Sequence, residues 1–233
     1  MLAVKDVHAY YGRAHILHGV SLEAKEGEVV ALLGRNGAGK STAMKTIMGL
    51  VSPARGEVSF DGRRIDRLPP YRIARLGLGY VPEERRIFTD LTVLENLSVG
   101  RQPARAGAPT WTEDRLFALF PNLGRMRDRP GARMSGGEQQ MLTIARTLMG
   151  NPRCVMLDEP SEGLAPIIVE QMAQSIRALK GEGLSVLLSE QNLHFCQVVA
   201  DRAYIIEKGQ IRFGGTMAEL AADAALREQY LSV

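Results

Sequence analysis

The chain has no apolar run approaching the ~20 residues that a membrane-spanning helix needs; its longest, such as Val29 to Leu33, suit single strands. A helical path of its own through a bilayer is therefore not expected. The start, MLAVKDVHAYYG, puts Asp6 and His8 where a secretory signal needs an apolar core, so export is not expected either. Only two cysteines occur, Cys154 and Cys196, both in apolar surroundings. That excludes a disulfide framework and the paired cysteines of a zinc module; buried, reduced thiols are expected. No low-complexity tract and no internal repeat is present. Lysine is missing from the whole stretch between Val51 and Arg133, which carries fifteen arginines and ten acids.

That stretch has a net charge of +5 in a chain whose total is +3, so the remainder is −2. Such an arginine-rich segment suits nucleic acid, an anionic membrane surface or an acidic partner, or is simply a solvated face; charge alone leaves these open. With 233 residues, 45% of them hydrophobic and 24% charged, the chain suffices for one globular domain with a smaller lobe packed on it.

The first third reads as strands and tight turns. A charged turn at Lys25 to Glu28 precedes the apolar run ending at Leu33, and GEVSFDGRRI carries the hairpin signal Asp61-Gly62. From about Ile87 to Met149 the pattern is helical. Thr92 to Glu95 and Thr110 to Glu113 both fit the capping box that opens helices, with PARAGAP (103–109) linking them. Beyond this, apolar strands (CVMLD, LSVLLS) alternate with amphipathic helix. Pro166 to Lys180 is expected as a helix ended by Gly181, and AYIIEKGQIRFGG as a closing hairpin. Strand–helix alternation with fully apolar strands predicts an α/β fold with a parallel sheet covered on both faces. The expected layout is a single domain over residues 1–233, with a core of about 1–86 and 135–233 and an inserted helical lobe of about 87–134.

Gly34-Arg35-Asn36-Gly37-Ala38-Gly39-Lys40-Ser41 matches the phosphate-loop pattern without a mismatch, directly after an apolar strand. Glycine lets backbone N–H groups turn onto phosphate oxygens, and the helix opening at Lys40 points its positive end at them. The expected ATP contacts are Gly34, Asn36, Gly37, Ala38, Gly39, Lys40, Ser41 and Thr42. Lys40 would bridge the β- and γ-phosphates, and Ser41 would hold Mg²⁺. At the end of CVMLD stand Asp158 and Glu159. On its own this pair is a strand ending in solvent. Beside a phosphate loop, on a strand terminus that lines a ligand crevice, Asp158 can reach the Mg²⁺ and Glu159 can orient or deprotonate the attacking water.

A second glycine turn, RMSGGEQQM, is harder to account for. Ser135 and Glu138 form another capping box, and Met141, Leu142, Ala145, Leu148 and Met149 recur at helical spacing, so Ser135 could simply cap a helix. Yet Gly136 and Gly137 occupy its first turn, where glycine costs up to ~1 kcal/mol each relative to alanine. Bare N–H groups there make a second anion site, although one ATP has one γ-phosphate.

MSGGEQQ resembles the signature loop of ATP-binding cassette (ABC) proteins, and it precedes CVMLDEP as in that family; the resemblance runs from Tyr11 to about Gly215. It implies a P-loop NTPase (RecA-like) core with an antiparallel β subdomain and an inserted helical subdomain. It also implies that two cassettes, identical or not, stack head to tail, Ser135, Gly136 and Gly137 of each closing on the γ-phosphate held by the other. Tyr11 resembles the aromatic that stacks on adenine, with Tyr10 the alternative one residue out of register. Ser161, Glu162 and Gly163 resemble the loop that crosses the dimer interface.

Two positions depart from the family pattern. Glu83, in YVPEERRIF, stands where the family has a glutamine joining Mg²⁺ to the membrane partner; a carboxylate is still a hard oxygen ligand, but adds negative charge. Gln191 stands where the family has a switch histidine; its amide can donate to the γ-phosphate but does not titrate near neutral pH. His194 is expected on a helix surface instead. VPEERRIF, DEPSEGLAP and SEQN are together similar to the cassette subunits of importers for branched-chain and other hydrophobic amino acids, with urea, amide and aromatic-acid importers sharing much of the pattern. The resemblance implies Mg-ATP hydrolysis at the cytoplasmic face of the inner membrane. It also implies separate permease subunits gripped by the helical lobe near Glu83, Arg85 and Arg86, and a periplasmic substrate-binding protein. A nucleic-acid ATPase or an assembly scaffold built on the same cassette is the competing reading; the insert is too short for a long coiled coil, and no nucleic acid partner is expected.

Overall fold

The computed structural model describes residues 1–231; the last two residues of the expected domain lie outside the described ones. The chain opens with two long strands, β1 (Leu2–Tyr11) and β2 (Ala14–Ala24), then β3 (Val29–Leu33) and helix α1 (Lys40–Ile47). There follow β4 (Arg55–Phe60), β5 (Arg63–Arg64), α2 (Pro70–Arg75) and β6 (Leu78–Val81). Helices α3 (Val93–Gly100), α4 (Glu113–Leu119), α5 (Pro121–Gly124) and α6 (Gly136–Leu148) come next. The remainder is β7 (Cys154–Asp158), α7 (Pro166–Gly181), β8 (Ser185–Glu190), α8 (Leu193–Val199), β9 (Arg202–Glu207), β10 (Gln210–Thr216), α9 (Met217–Ala222) and α10 (Ala224–Leu231).

Two sheets result. The larger has the order β10-β9-β3-β8-β7-β6, parallel except for the antiparallel edge strand β10. The smaller, β2-β1-β4-β5, is antiparallel. All five residues of β3 and of β7 are buried, as a sheet covered on both faces requires. The two-residue period of a strand divides them between two cores. Val30, Leu32 and Met156 join Met44 and Ile47 of α1 beneath the antiparallel sheet. Val29, Ala31, Leu33, Val155 and Leu157 join the residues of α6, α7 and the helices after β6. Cys154 and Cys196 are both buried, and burial pushes the Cys154 thiol up to about 12.

The Thr92–Glu95 and Ser135–Glu138 capping boxes form in full. The one expected at Thr110 does not: Thr112 caps α4, accepting from Arg115 N–H. Trp111 is buried and its backbone N–H donates to Asn151 Oδ1 at 2.7 Å, which keeps the chain extended one residue past Thr110. Helix α7 runs through Gly181 rather than ending before it, and the left-handed turn falls on Gly183 (φ 82°). Among the described residues no helix is long and apolar enough to cross a membrane.

Candidate nucleotide site

The buried interior strand β3 delivers residues 34–39 to the C-terminal end of the parallel strands, and α1 begins directly afterwards at Lys40. Gly39, with φ 110°, makes the turn into α1; a side chain on Gly34 would stand 2.5 Å from the Ile206 carbonyl oxygen. Neither position admits an ordinary residue. The adjacent cavity, about 250 Å³, is lined by Tyr11, Ile16, Gly37, Gly39, Lys40, Ser41, Thr42 and Glu159.

Lys40 is almost fully buried. Its Nζ donates to Gly34 O at 2.7 Å and Arg35 O at 3.1 Å, and pairs with Glu159 Oε1 at 3.1 Å. Asp158 is equally buried and accepts three hydroxyl hydrogen bonds: from Ser41 Oγ (3.0 Å) and Ser189 Oγ (2.6 Å) on Oδ1, and from Tyr80 OH (3.0 Å) on Oδ2. Glu159 sits in the left-handed region at φ 48°, a conformation that costs a non-glycine residue energy and clusters at functional sites. Its N–H, directed to Ser189 O and Oγ, holds it there. Its Oε2 is buried with no hydrogen-bond partner among the described residues.

Negative charge accumulates around this point. Burial, then the carboxylates of Glu159, Asp158 and Glu84, hold the Glu83 carboxyl above the usual range. Burial, then Glu159, does the same to Glu162. Burial and then Asp158 push the Tyr80 hydroxyl up, so it stays a proton donor. Hard oxygens with surplus negative charge suit a small divalent cation such as Mg²⁺. Among the described residues no cluster of three or more His, Cys, Asp or Glu forms a ready-made metal cage. Ser41 and Asp158 would therefore supply part of the shell, and phosphate oxygens and water the rest, as Mg²⁺ accepts.

The two tyrosines differ in surroundings. Tyr10 stacks on His15, with ring centroids 4.2 Å apart and planes 8° apart, whereas Tyr11 lines the cavity and is about half exposed. Asn36, Glu83, Ala38 and Gln191 do not line the cavity, nor do Ser135, Gly136 and Gly137. The signature turn is a closed capping box at the start of α6, Ser135 N–H donating to Glu138 Oε2 at 2.7 Å. Gly137 has a packing reason too: a Cβ there would stand 2.9 Å from Ile168 Cγ2, whereas one on Gly136 would meet only the flexible end of Arg85, 2.6 Å from Nη1. Gln191 follows β8 and is exposed; His194 is exposed on α8.

Three participants are not singled out by the motifs: Tyr80, Ser189 and Glu190. Glu190 is buried, and its carboxylate accepts from Ser161 N–H (2.9 Å), Gln191 N–H (3.3 Å) and Asn192 N–H (3.3 Å), while its carbonyl accepts from Gly34 N–H (3.2 Å). One side chain thus ties the loop after Glu159 to the loop after β8. The available signal is an acid closing the buried run LSVLLS, as Asp158 closes CVMLD.

The family model for ABC transporters matches residues 17–162. The chain is 43% identical over 231 residues to the high-affinity branched-chain amino acid transport ATP-binding protein BraG of Pseudomonas aeruginosa, covering 99% of both chains. It is 37% identical over 232 residues to the lipopolysaccharide export system ATP-binding protein LptB of Escherichia coli (strain K12), covering 99% of this chain and 96% of that one. Among solved structures, a dimeric post-hydrolysis ATP-binding cassette bound to ADP and Pi superposes with a TM-score of 0.80 at 26% identity, covering 93% of this chain and 99% of that one.

Proposed function

The chain belongs to the ABC transporter family and is an ATP-binding, ATP-hydrolysing cassette with the P-loop NTPase fold; on that premise we propose that it powers uptake of branched-chain or other hydrophobic amino acids through separate permease subunits. The observation that carries the cargo is the 43% identity to BraG across the whole length of both chains. The 37% identity to LptB supports a second reading, a cassette of an exporter. Deleting the gene and measuring uptake of labelled leucine separates them: uptake falls under the first reading and is unchanged under the second.

In the proposed mechanism, Tyr11 stacks on adenine, a contact typically worth ~1–3 kcal/mol. The phosphate-loop amides take the β- and γ-phosphates, with Asn36 and Ala38 in the loop and Thr42 in the first turn of α1 behind them. Lys40 exchanges its loop carbonyls and Glu159 for phosphate oxygens. Ser41 and Asp158 would hold Mg²⁺, with Glu83 as a further oxygen ligand, and the ion would neutralise charge on the phosphates. Glu159, freed from Lys40, orients and deprotonates the attacking water, and Gln191 donates to the γ-phosphate. In-line attack needs mostly positioning and charge compensation, which these groups provide. Ser135, Gly136 and Gly137 are not among this cavity's lining; their anion-binding turn serves the nucleotide of a second cassette, and each active site is completed by the partner.

The permease is gripped at a groove of about 540 Å³ whose lining includes Leu50, Tyr71, Tyr80, Phe88, Val99 and Arg146. Leu50, Tyr71, Phe88 and Val99 are exposed apolar side chains, the composition of a protein-binding patch. Arg146 also lines it, its Nη2 donating to Arg86 O at 2.7 Å and its guanidinium lying over the Phe88 ring. Arg85 and Arg86 flank the groove in consecutive left-handed conformations, their carbonyls held by Thr143 and Arg146. This binding places the cassette at the cytoplasmic face of the inner membrane, with a periplasmic binding protein delivering cargo on the far side.

A further inference from the structure

Tyr80 lies on the edge strand β6, in register with Met156 of the parallel neighbour β7. Side chains two residues apart on a strand share a face, so Asp158 emerges on the same face as Met156, roughly 6.6 Å further along at about 3.3 Å per residue. Only a long side chain ending in a donor spans that offset. The Tyr80 ring does, and its hydroxyl meets Asp158 Oδ2 at 3.0 Å. The other oxygen, Oδ1, is already held by Ser41 and Ser189. Without Tyr80, Oδ2 has no hydrogen bond that the structure shows, and the carboxylate is fixed at one oxygen only.

Tyr80 also lines the 540 Å³ groove together with Phe88, Val99 and Tyr71. One residue therefore borders the groove and holds its hydroxyl on the buried carboxylate. We propose that Tyr80 is a positioning residue that aims Asp158 at the metal and makes that aim responsive to whatever fills the groove. An occupant pressing on the ring moves the hydroxyl; a moved hydroxyl lets Asp158 turn. The link rests on the proposed roles of Asp158 and of the groove. It adds a physical path between them that uses one residue and one hydrogen bond.

Partners that orient a metal ligand typically change metal affinity 10- to 100-fold when removed. The test is Mn²⁺ titration, followed by electron paramagnetic resonance, of the cassette saturated with a non-hydrolysable ATP analogue. Tyr80→Phe should weaken Mn²⁺ binding about 10-fold while leaving analogue affinity in EDTA unchanged. Tyr80→Leu, which likewise removes the hydroxyl, should show the same loss, and it stands in if the Phe variant does not fold. Equal Mn²⁺ affinity in wild type and Tyr80→Phe overturns the positioning role. If Asp158→Asn also leaves Mn²⁺ affinity unchanged, the metal reading of Asp158 falls with it; if Asp158→Asn weakens binding and Tyr80→Phe does not, only Tyr80 is misassigned. In the complex co-purified with permease, wild-type Mn²⁺ affinity should shift on assembly and that of Tyr80→Phe should not. The same shift in both overturns the connection to the groove.

Discussion

Lys40 Nζ lies 3.1 Å from Glu159 Oε1, both side chains almost wholly buried, so the group that should bind phosphate and the group that should activate water neutralise each other. Phosphate oxygens compete with Glu159 for the same amine. Glu159→Gln removes the competing charge while keeping the shape. ATP affinity should be retained or rise a few-fold, and turnover should fall by about 10²-fold or more, the scale of general-base assistance, with dimers trapped closed. Nucleotide titration and steady-state hydrolysis on the same variant check both parts. Turnover near the wild-type rate would show that another group handles the water.

The two signature glycines separate packing from ligand binding. Gly137→Ala drives a methyl to 2.9 Å from Ile168, and overpacking of this kind costs about 1–3 kcal/mol. Gly136→Ala meets only the flexible end of Arg85, and alanine favours helix by up to ~1 kcal/mol over glycine. Thermal melts should show Gly136→Ala at least as stable as wild type, yet its ATPase activity should drop several-fold because the methyl screens the exposed amides. A stable Gly136→Ala with full activity would leave that turn as a helix cap.

Replacing Gln191 with His places a titrating group where an amide now stands. Turnover of Gln191→His should become more pH-sensitive than that of wild type between about pH 6 and 7.5. The pH–rate profile of the two proteins is the measurement, and matching profiles would remove Gln191 from the γ-phosphate.

Glu190 gives a stability signature. Burial, opposed by hydrogen bonds to Ser161 and the Asn192 N–H, leaves its carboxyl above the usual glutamate range. Its contribution to stability is fully present below that ordinary range, where folded and unfolded chains both hold the proton. It is lost as pH rises through the raised folded value, because there the unfolded chain has released a proton that the folded chain still holds. The melting temperature of wild type should therefore fall relative to that of Glu190→Gln as pH rises from about 4 towards 7. A constant difference across that range would contradict the assignment.

Much of this was readable before any coordinates, for identifiable reasons. The phosphate loop and CVMLD are local: glycine spacing and an unbroken apolar run carry their own geometry. Tyr80 and Ser189 were not readable, because their use depends on strand register across the sheet, which pairs Asp158 with Ser189 and Tyr80 with Met156. Glu190 closes an apolar run with nothing local to mark its use; its three amide partners come from the loop after Asp158 and from its own turn. The Thr110 cap failed because a tertiary contact, Trp111 with Asn151, overrode a local pattern. The choice between Tyr10 and Tyr11 needed the neighbouring strand, since His15 on β2 engages Tyr10 and leaves Tyr11 to the cavity.

The central claim is that one copy carries two half-sites and no whole one. Hydrolysis per molecule, measured over a dilution series that takes the cassette from dimer to strictly monomer, tests it most directly. A specific activity that collapses on dilution and returns on concentration is the expected result; a specific activity independent of concentration down to the monomer would contradict it.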